Sequence, residues 1–347
     1  MPDDLNAHCN MIIKAITDGR VVPFLGAGAN LCGRPGGLAW SCGQCEHLPS
    51  GSELATYLAD NFGYPSRETQ VVCSSCESEV RLAERMQDLA RVSQYVTVMM
   101  GLGPLYEELH LLFDADYPPT PLHQFFATLP AALHDKGYPR TDDPLRRQLV
   151  IVTTNYDDLL ERAFQDAGEP FHLVSYVAEG EQRGKFSHWP PNGWPPVGEP
   201  QPIETPNQYR GLLLDQRPVI LKIHGAVDRV NADRDSYVIT EDHYIDYLTR
   251  TDIASLIPVP LPAKLKKSHL LFLGYGLRDW NLRVILHRIW GEQKLSWKSW
   301  AIQLNPDPLD KECWKKRDVD ILDVRLEEYV AALSERMQAL PPVGGAS

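Results

Sequence analysis

No stretch of this 347-residue chain approaches the length of an apolar membrane span, and its first residues lack the charged-then-apolar pattern of a secretion signal. Both absences point to the cytoplasm and away from a membrane role. Basic charge is in deficit: 34 Lys and Arg face 46 Asp and Glu, a net charge of −12. Nonspecific nucleic-acid binding needs a basic surface, so no direct nucleic-acid partner is expected. Cysteine is sparse and odd in number, at seven. Without a secretion signal, free thiols or a metal site fit this count better than a disulfide framework. No ATPase, nuclease or helix-turn-helix module is recognisable. The full dinucleotide fingerprint is also missing, because Leu31 stands where its third glycine would fall. What remains is an ordinary globular composition, long enough to bury a large core.

The stretch that organises the chain is Gln148 to Asp158. An apolar run, Leu149 to Val152, is cut off by Thr-Thr-Asn-Tyr-Asp, and a helical pattern follows through Leu159, Leu160, Ala163 and Phe164. A β-branched run of this length predicts a fully buried strand of a parallel sheet. Asn155 and Asp157 then fall at the strand's carboxyl end, where open α/β sheets bind ligands. Either one could simply cap the next helix, which accounts for one of the two.

Around this strand the rest of the chain falls into place. Residues 4 to 17 carry helical spacing, and Asp18-Gly19 ends that helix. Val21 to Leu25 reads as a strand in which Pro23 costs one ladder bond on one side. Gly26-Ala27-Gly28-Ala29-Asn30 follows, a loop that could approach a phosphate or make a tight turn. Ser50 and Glu53 form a capping box for a helix with Leu54, Leu58 and Phe62 on its apolar face. On either side of it lie Cys42-x-x-Cys45 and Cys73-x-x-Cys76, a four-thiolate set with the spacing of a structural zinc knuckle. Residues 79 to 100 are expected as one long helix, and Met99, Met100 and Leu102 as core. Thr120-Pro121 opens a further helix, with His123 as a core or capping residue in its first turn. Residues 135 to 147 read as a charged linker.

Phe171 to Val177 reads as a strand. The segment 180 to 216, thick with Pro, Gly and Trp, has the length of a lid or cover. Its His188, Trp189 and Trp194 could close over a flat ligand or anchor packing. Pro218 to Gly225 is another buried strand, delivering His224 to the same carboxyl edge as an acid–base candidate. Tyr237 to Ile239 is expected as a short strand, and Thr240 as the cap of the helix behind it. His269 to Leu273 runs into Gly274-Tyr275-Gly276, and Asp279 caps the helix after it. Two last strands, Trp300 to Gln303 and Ile321 to Val324, precede a terminal helix and a disordered tail at 341–347.

Four of these motifs occur in order, each at a strand end: Gly-Ala-Gly at 26–28, Thr-Thr-Asn-Tyr-Asp at 153–157, Lys-Ile-His-Gly at 222–225 and Gly-Tyr-Gly at 274–276. Together they resemble the sirtuin (silent information regulator) superfamily, and more closely its bacterial sirtuin-like NAD-hydrolase branch of antiphage defence systems. The resemblance implies a Rossmann-like parallel sheet that binds NAD; the domain, its sheet flanked by helices, is expected over residues 1–340, with 32–147 as a Cys-containing helical insertion that could bear the zinc suggested by the Cys spacing. It implies NAD as substrate, with Gly26, Ala27 and Gly28 cradling the pyrophosphate and Ala29, Asn30 and Thr154 beside them. Asn155 would orient the ribose or the attacking water, Asp157 would hold the nicotinamide carboxamide, and His224 would act as base. Gly274, Gly276, Asp279 and Asn281 would line the adenosine half. The activity implied is NAD cleavage to nicotinamide and ADP-ribose, with deacylation, ADP-ribosyl transfer or NAD binding without turnover as alternatives. Deacylases of the superfamily carry their cysteine module after the His-Gly motif, whereas here the Cys pairs come early. The resemblance also implies a homo-oligomer and a sensor in another chain, a HerA-type ATPase being one candidate.

Overall fold

The computed structural model describes residues 3–65, 67–72, 79–84, 88–191, 194–196, 198–212, 214–249, 253–276 and 297–343. Its strands are β1 (Val21–Leu25), β2 (Arg67–Val72), β3 (Glu79–Glu84), β4 (Val150–Thr153), β5 (His172–Tyr176), β6 (Phe186–Trp189), β7 (Gln201–Pro202), β8 (Val219–Lys222), β9 (His269–Leu273), β10 (Ser299–Gln303) and β11 (Val319–Asp323). All but β2 and β3 form one nine-stranded sheet in the order β11-β10-β9-β1-β4-β8-β5-β6-β7. From β11 to β5 every neighbouring pair is parallel; β6 and β7 extend the sheet antiparallel. The order β8-β4-β1-β9-β10-β11 is that of a Rossmann sheet, and it reverses direction at β1. In open α/β sheets ligands bind outside the carboxyl ends of the strands at such a reversal, here at the loops after β1 and β9 with the loop after β4 alongside.

The central strands are wholly buried, as their unbroken apolar runs require. Pro23 sits inside a central strand, an unusual place for a residue without an N–H. The register explains how it is tolerated. β9 pairs with all of Val21 to Leu25, whereas β4 joins β1 only at Phe24 and Leu25, beyond the proline.

Among the described residues, the helices before β10 are α1 (Asp3–Thr17), α2 (Gly51–Asn61), α3 (Leu89–Met100), α4 (Leu102–Phe113), α5 (Pro121–Asp135), α6 (Leu159–Asp166), α7 (Glu241–Thr249), α8 (Ile253–Leu256) and α9 (Pro260–Lys266). One face of the sheet is covered by apolar side chains of α1, α5, α6 and the terminal helix Leu326–Ala339. The other meets α7 through Tyr247, α9 through Leu261 and Leu265, and Trp314 of the helix Pro308–Lys315. A third cluster joins α2, α3 and α4 to Tyr156, Val227 and Tyr237, so the segment inserted between β1 and β4 is seated over the sheet's carboxyl edge.

Several expectations need correction. The helix expected over 79–100 is a strand followed by a helix: β3 pairs antiparallel with β2, and Asp88 then caps α3 by accepting the Arg91 N–H. Glu79-Val-Arg-Leu-Ala-Glu84 alternates as a strand should, while Leu82, Met86 and Leu89 also satisfy a helical period. Met99 and Met100 are exposed, at 62% and 53%, so they are not core. Segment 180–216 is not structureless, because β6 and β7 lie within it. Tyr237 to Ile239 is buried but extended without ladder pairing, held to the sheet by Val238 N–H on the His224 carbonyl. Pro341 to Val343, expected as part of a disordered tail, is tied down: Val343 N–H bonds Lys136 O at 2.8 Å. Asp279, Asn281 and the helix expected around them lie outside the described residues.

Candidate functional site

β4 and β8 are neighbours, with Thr153 opposite Lys222. Asn155 and His224 each stand two residues beyond that pair, so the sheet brings them to equivalent places on one edge. The Ile223 N–H bonds Thr153 O, and the Val227 N–H bonds Tyr156 O at 2.9 Å, which ties the two loops together. Both side chains are buried. Gly225 has φ +90°, and a Cβ there would lie 2.1 Å from Ser236 O, so the turn behind His224 requires glycine.

The His224 ring is edge-on to Tyr244 and Tyr247 of α7, with centroids 5.5 and 5.6 Å away. Its Nε2 is buried and has no hydrogen-bond partner among the described residues. A buried nitrogen left unpaired is costly, which makes this Nε2 a candidate contact for a bound ligand. Burial alone pushes the His224 pKa down to about 3, so the imidazole is neutral at physiological pH.

Asn155 lies on the β1 side of that edge. Its Nδ2 donates to Asn30 Oδ1 at 3.2 Å, and Asn30 Nδ2 donates to Asp157 Oδ2 at 2.7 Å. Asp157 Oδ1 accepts the Leu159 N–H at 3.1 Å, so Asp157 satisfies the first N–H of α6 while Asp158 holds the N-cap position. Lys222 Nζ donates to the Asp157 carbonyl and pairs with Glu161 Oε1 at 2.8 Å, both side chains 1% exposed. Asp158 accepts Trp194 Nε1 and is paired with Arg229 and Arg162.

The two glycine loops interlock across the switch point. Gly28 N–H bonds Gly274 O at 2.8 Å, and Gly26 N–H bonds Leu273 O. A Cβ on Gly274, whose φ is +71°, would lie 2.1 Å from Ala29 N; one on Gly26 or Gly28 would lie 2.8 Å from Gly274 backbone. Close backbone packing thus accounts for Gly26, Gly28 and Gly274, while Gly276 is open. Tyr275 OH bonds Thr154 Oγ1 at 2.6 Å, joining the β9 and β4 loops. Thr120 Oγ1 donates to Ala29 O, and His123 Nδ1 accepts from the Thr120 N–H, the capping role expected for that histidine.

Trp189 and Trp194 line a cavity of about 990 Å³ together with Tyr106, Asp228, Arg234 and Ser236. Neither Asn155 nor His224 lines it. His188 points the other way, its Nε2 2.8 Å from His172 Nδ1 and its Nδ1 2.5 Å from Tyr209 OH. Of the two Cys pairs, Cys42 is exposed and Cys45 half-buried, with its Sγ accepting the Ser41 N–H. Cys73 and Cys76 lie outside the described residues, and no group of three or more metal-capable side chains occurs among those described.

Glu161 and Arg229 were not singled out from the sequence, and Lys222 and Asp158 only as members of the stretches 222–225 and 148–158. A lysine inside Val-Ile-Leu-Lys-Ile is a signal in itself, since a buried cation demands a carboxylate, and Glu161 sits among the apolar residues of α6.

Buried histidines make folding pH-dependent. His8, His123, His172 and His188 are each held down to about 4, with burial the largest cause, and His224 to about 3. Unfolding returns them toward 6.5, so between those values the unfolded chain binds more protons. Their contribution to stability is present above about pH 6.5 and lost as pH falls toward 4 and below. The thermal midpoint, followed by circular dichroism, is expected to fall steadily across this range; a flat midpoint would contradict the burial.

A family model described as a SIR2-like domain matches residues 149–322, from the central strand to β11. The match covers half of the chain, which therefore belongs to the SIR2-like domain family. Among curated proteins, "Defense-associated sirtuin 2" of Bacillus subtilis is 26% identical over 164 residues, 47% of this chain and 13% of that protein. The chain thus spans only a small part of that relative's length. No helix among the described residues is long and apolar enough to cross a membrane.

Proposed function

We propose that the carboxyl edge carrying Asn155 and His224 cleaves NAD to nicotinamide and ADP-ribose. The observation that carries this reading is the buried His224 Nε2, without a partner among the described residues, placed level with Asn155 on the neighbouring strand, which itself adjoins the switch-point strand β1. Family membership supports NAD as the ligand, and the relative's name supports a place in antiphage defence.

The chemistry suits these groups. The bond from the ribose C1′ to the pyridinium nitrogen breaks with its electron pair going to nicotinamide, which leaves neutral and needs no acid. Positive charge builds on the ribose, as in glycoside hydrolysis. The Asn155 carbonyl dipole stabilises that charge. Water adds to C1′ and releases a proton. An imidazole held near pKa 3 is a weak base, so His224 acts chiefly as a neutral acceptor that aims the water or a ribose hydroxyl. The cation is reactive enough that aim matters more than proton affinity. The dinucleotide lies along the β1 and β9 loops, where the strand order reverses. If Cys42, Cys45, Cys73 and Cys76 hold zinc, four thiolates leave it no open position, so the proposed reaction runs without it.

Chromatography of NAD incubated with the purified chain tests the proposal. Nicotinamide and ADP-ribose in equal amounts are expected. NAD recovered intact, with the chain assembled and any partner present, would refute it. The cavity beside Ala226 and Val227 favours a second reading, transfer of ADP-ribose to an acceptor other than water. It predicts nicotinamide without matching ADP-ribose.

A further inference from the structure

Three side chains join the β1 loop to the β4 loop, and their chemistry fixes which way each amide faces. An ionised carboxylate can only accept hydrogen bonds. Asp157 Oδ2 therefore requires the NH₂ end of Asn30, found at 2.7 Å. With Nδ2 committed there, Asn30 turns its Oδ1 to Asn155 and accepts Asn155 Nδ2 at 3.2 Å. The Asn155 Oδ1 is left as the outward end. Asp157 in turn is fixed by the Leu159 N–H on its Oδ1 and by Lys222 on its carbonyl. All three side chains are buried, so water cannot replace one link without breaking the order.

We infer that Asp157 and Asn30 form a polarity relay, two positioning residues that present the carbonyl oxygen of Asn155, and not its NH₂, to the ribose. The inference rests on the reading that NAD is cleaved here and assigns Asn30 and Asp157 roles other than direct NAD contacts. An Asn alone can present either end. An oxygen lowers the energy of a developing cation, whereas a flipped amide would aim N–H dipoles at it.

Two near-isosteric variants read the relay. In Asp157→Asn the acceptor-only end is gone, so the chain of amides can stand reversed. It is expected to lower kcat at least about tenfold while the NAD dissociation constant stays within about twofold. In Asn30→Asp two carboxyls meet, and near pH 8 their repulsion opens the link. On lowering the pH they share a proton, which restores donation to Asp157 and acceptance from Asn155. Activity relative to wild type is therefore expected to rise at least about fivefold between about pH 8 and about pH 5.5. Facing these groups are His123 of α5, Lys222 of β8, and Glu161, Arg162 and Asp158 of the β4–α6 segment; wild type carries them too and serves as the control.

Weakened NAD binding with unchanged kcat in Asp157→Asn would show a direct contact and overturn the relay, as would an Asn30→Asp profile parallel to wild type. If wild type releases no nicotinamide, the proposed activity falls, and the relay is read without turnover. The Asn155 side-chain amide NMR signal, assigned by its loss in Asn155→Ala, should shift with pH in Asn30→Asp and stay fixed in wild type. A signal fixed in both would overturn it.

Discussion

Asn155→Ala and His224→Ala are each expected to lower nicotinamide release by about a hundredfold or more, with the fold intact. Both residues lie beyond the last paired residues of their strands, Thr153 and Lys222, so truncation leaves the ladder untouched. The His224 variant removes a buried nitrogen that has no partner among the described residues, which offsets part of the cost of the cavity left beside Tyr244 and Tyr247. The Asn155 variant breaks one 3.2 Å bond to Asn30, at a cost of about 1 kcal/mol. Loss of turnover with retained NAD binding, measured by calorimetry, places both groups in the reaction. Unchanged turnover in either variant would remove that residue from it.

Lys222→Met is expected to have the largest effect on stability, about 3–5 kcal/mol in denaturant unfolding, because it strands Glu161 as a buried unpaired charge. Burial already raises the Glu161 pKa, and Lys222 is what opposes that rise. Glu161 Oε2 has no other partner among the described residues. Adding Glu161→Leu to Lys222→Met should recover most of the loss, since an apolar pair of similar volume can replace a buried ion pair. A residue of about 1 kcal/mol should persist, because the Asp157 carbonyl loses its donor as well. A double variant no more stable than the single one would show that the pair matters through something other than its charge.

Sequence and fold agree best where one physical rule operates alone. The strands at 21–25, 150–153, 219–222 and 269–273 are predominantly apolar runs followed by polar or glycine turns, a pattern that fits a buried parallel strand. Their carboxyl-end residues followed from strand direction. Residues 79–84 failed because Val80 and Leu82 fit a two-residue period while Leu82, Met86 and Leu89 fit a helical one; only pairing with 67–72 decides between them. Segment 180–216 looked structureless because its strands are short and lie at the sheet's open edge. Interlocking of the Gly26–Gly28 and Gly274 loops could not be seen either, since glycine required by a neighbouring backbone and glycine required by a phosphate look alike in one chain. The roles of Asn30 and Asp157 depend on contacts between residues 127 positions apart.

The central claim is that NAD reacts at the edge shared by Asn155 and His224, and not in the cavity walled by Trp189 and Trp194. A crystal structure of the His224→Ala chain grown with NAD tests this most directly. The account predicts the nicotinamide ribose beside Asn155 Oδ1 and the pyrophosphate along the β1 and β9 loops. NAD seated between the two tryptophans, with its ribose remote from Asn155, would contradict it.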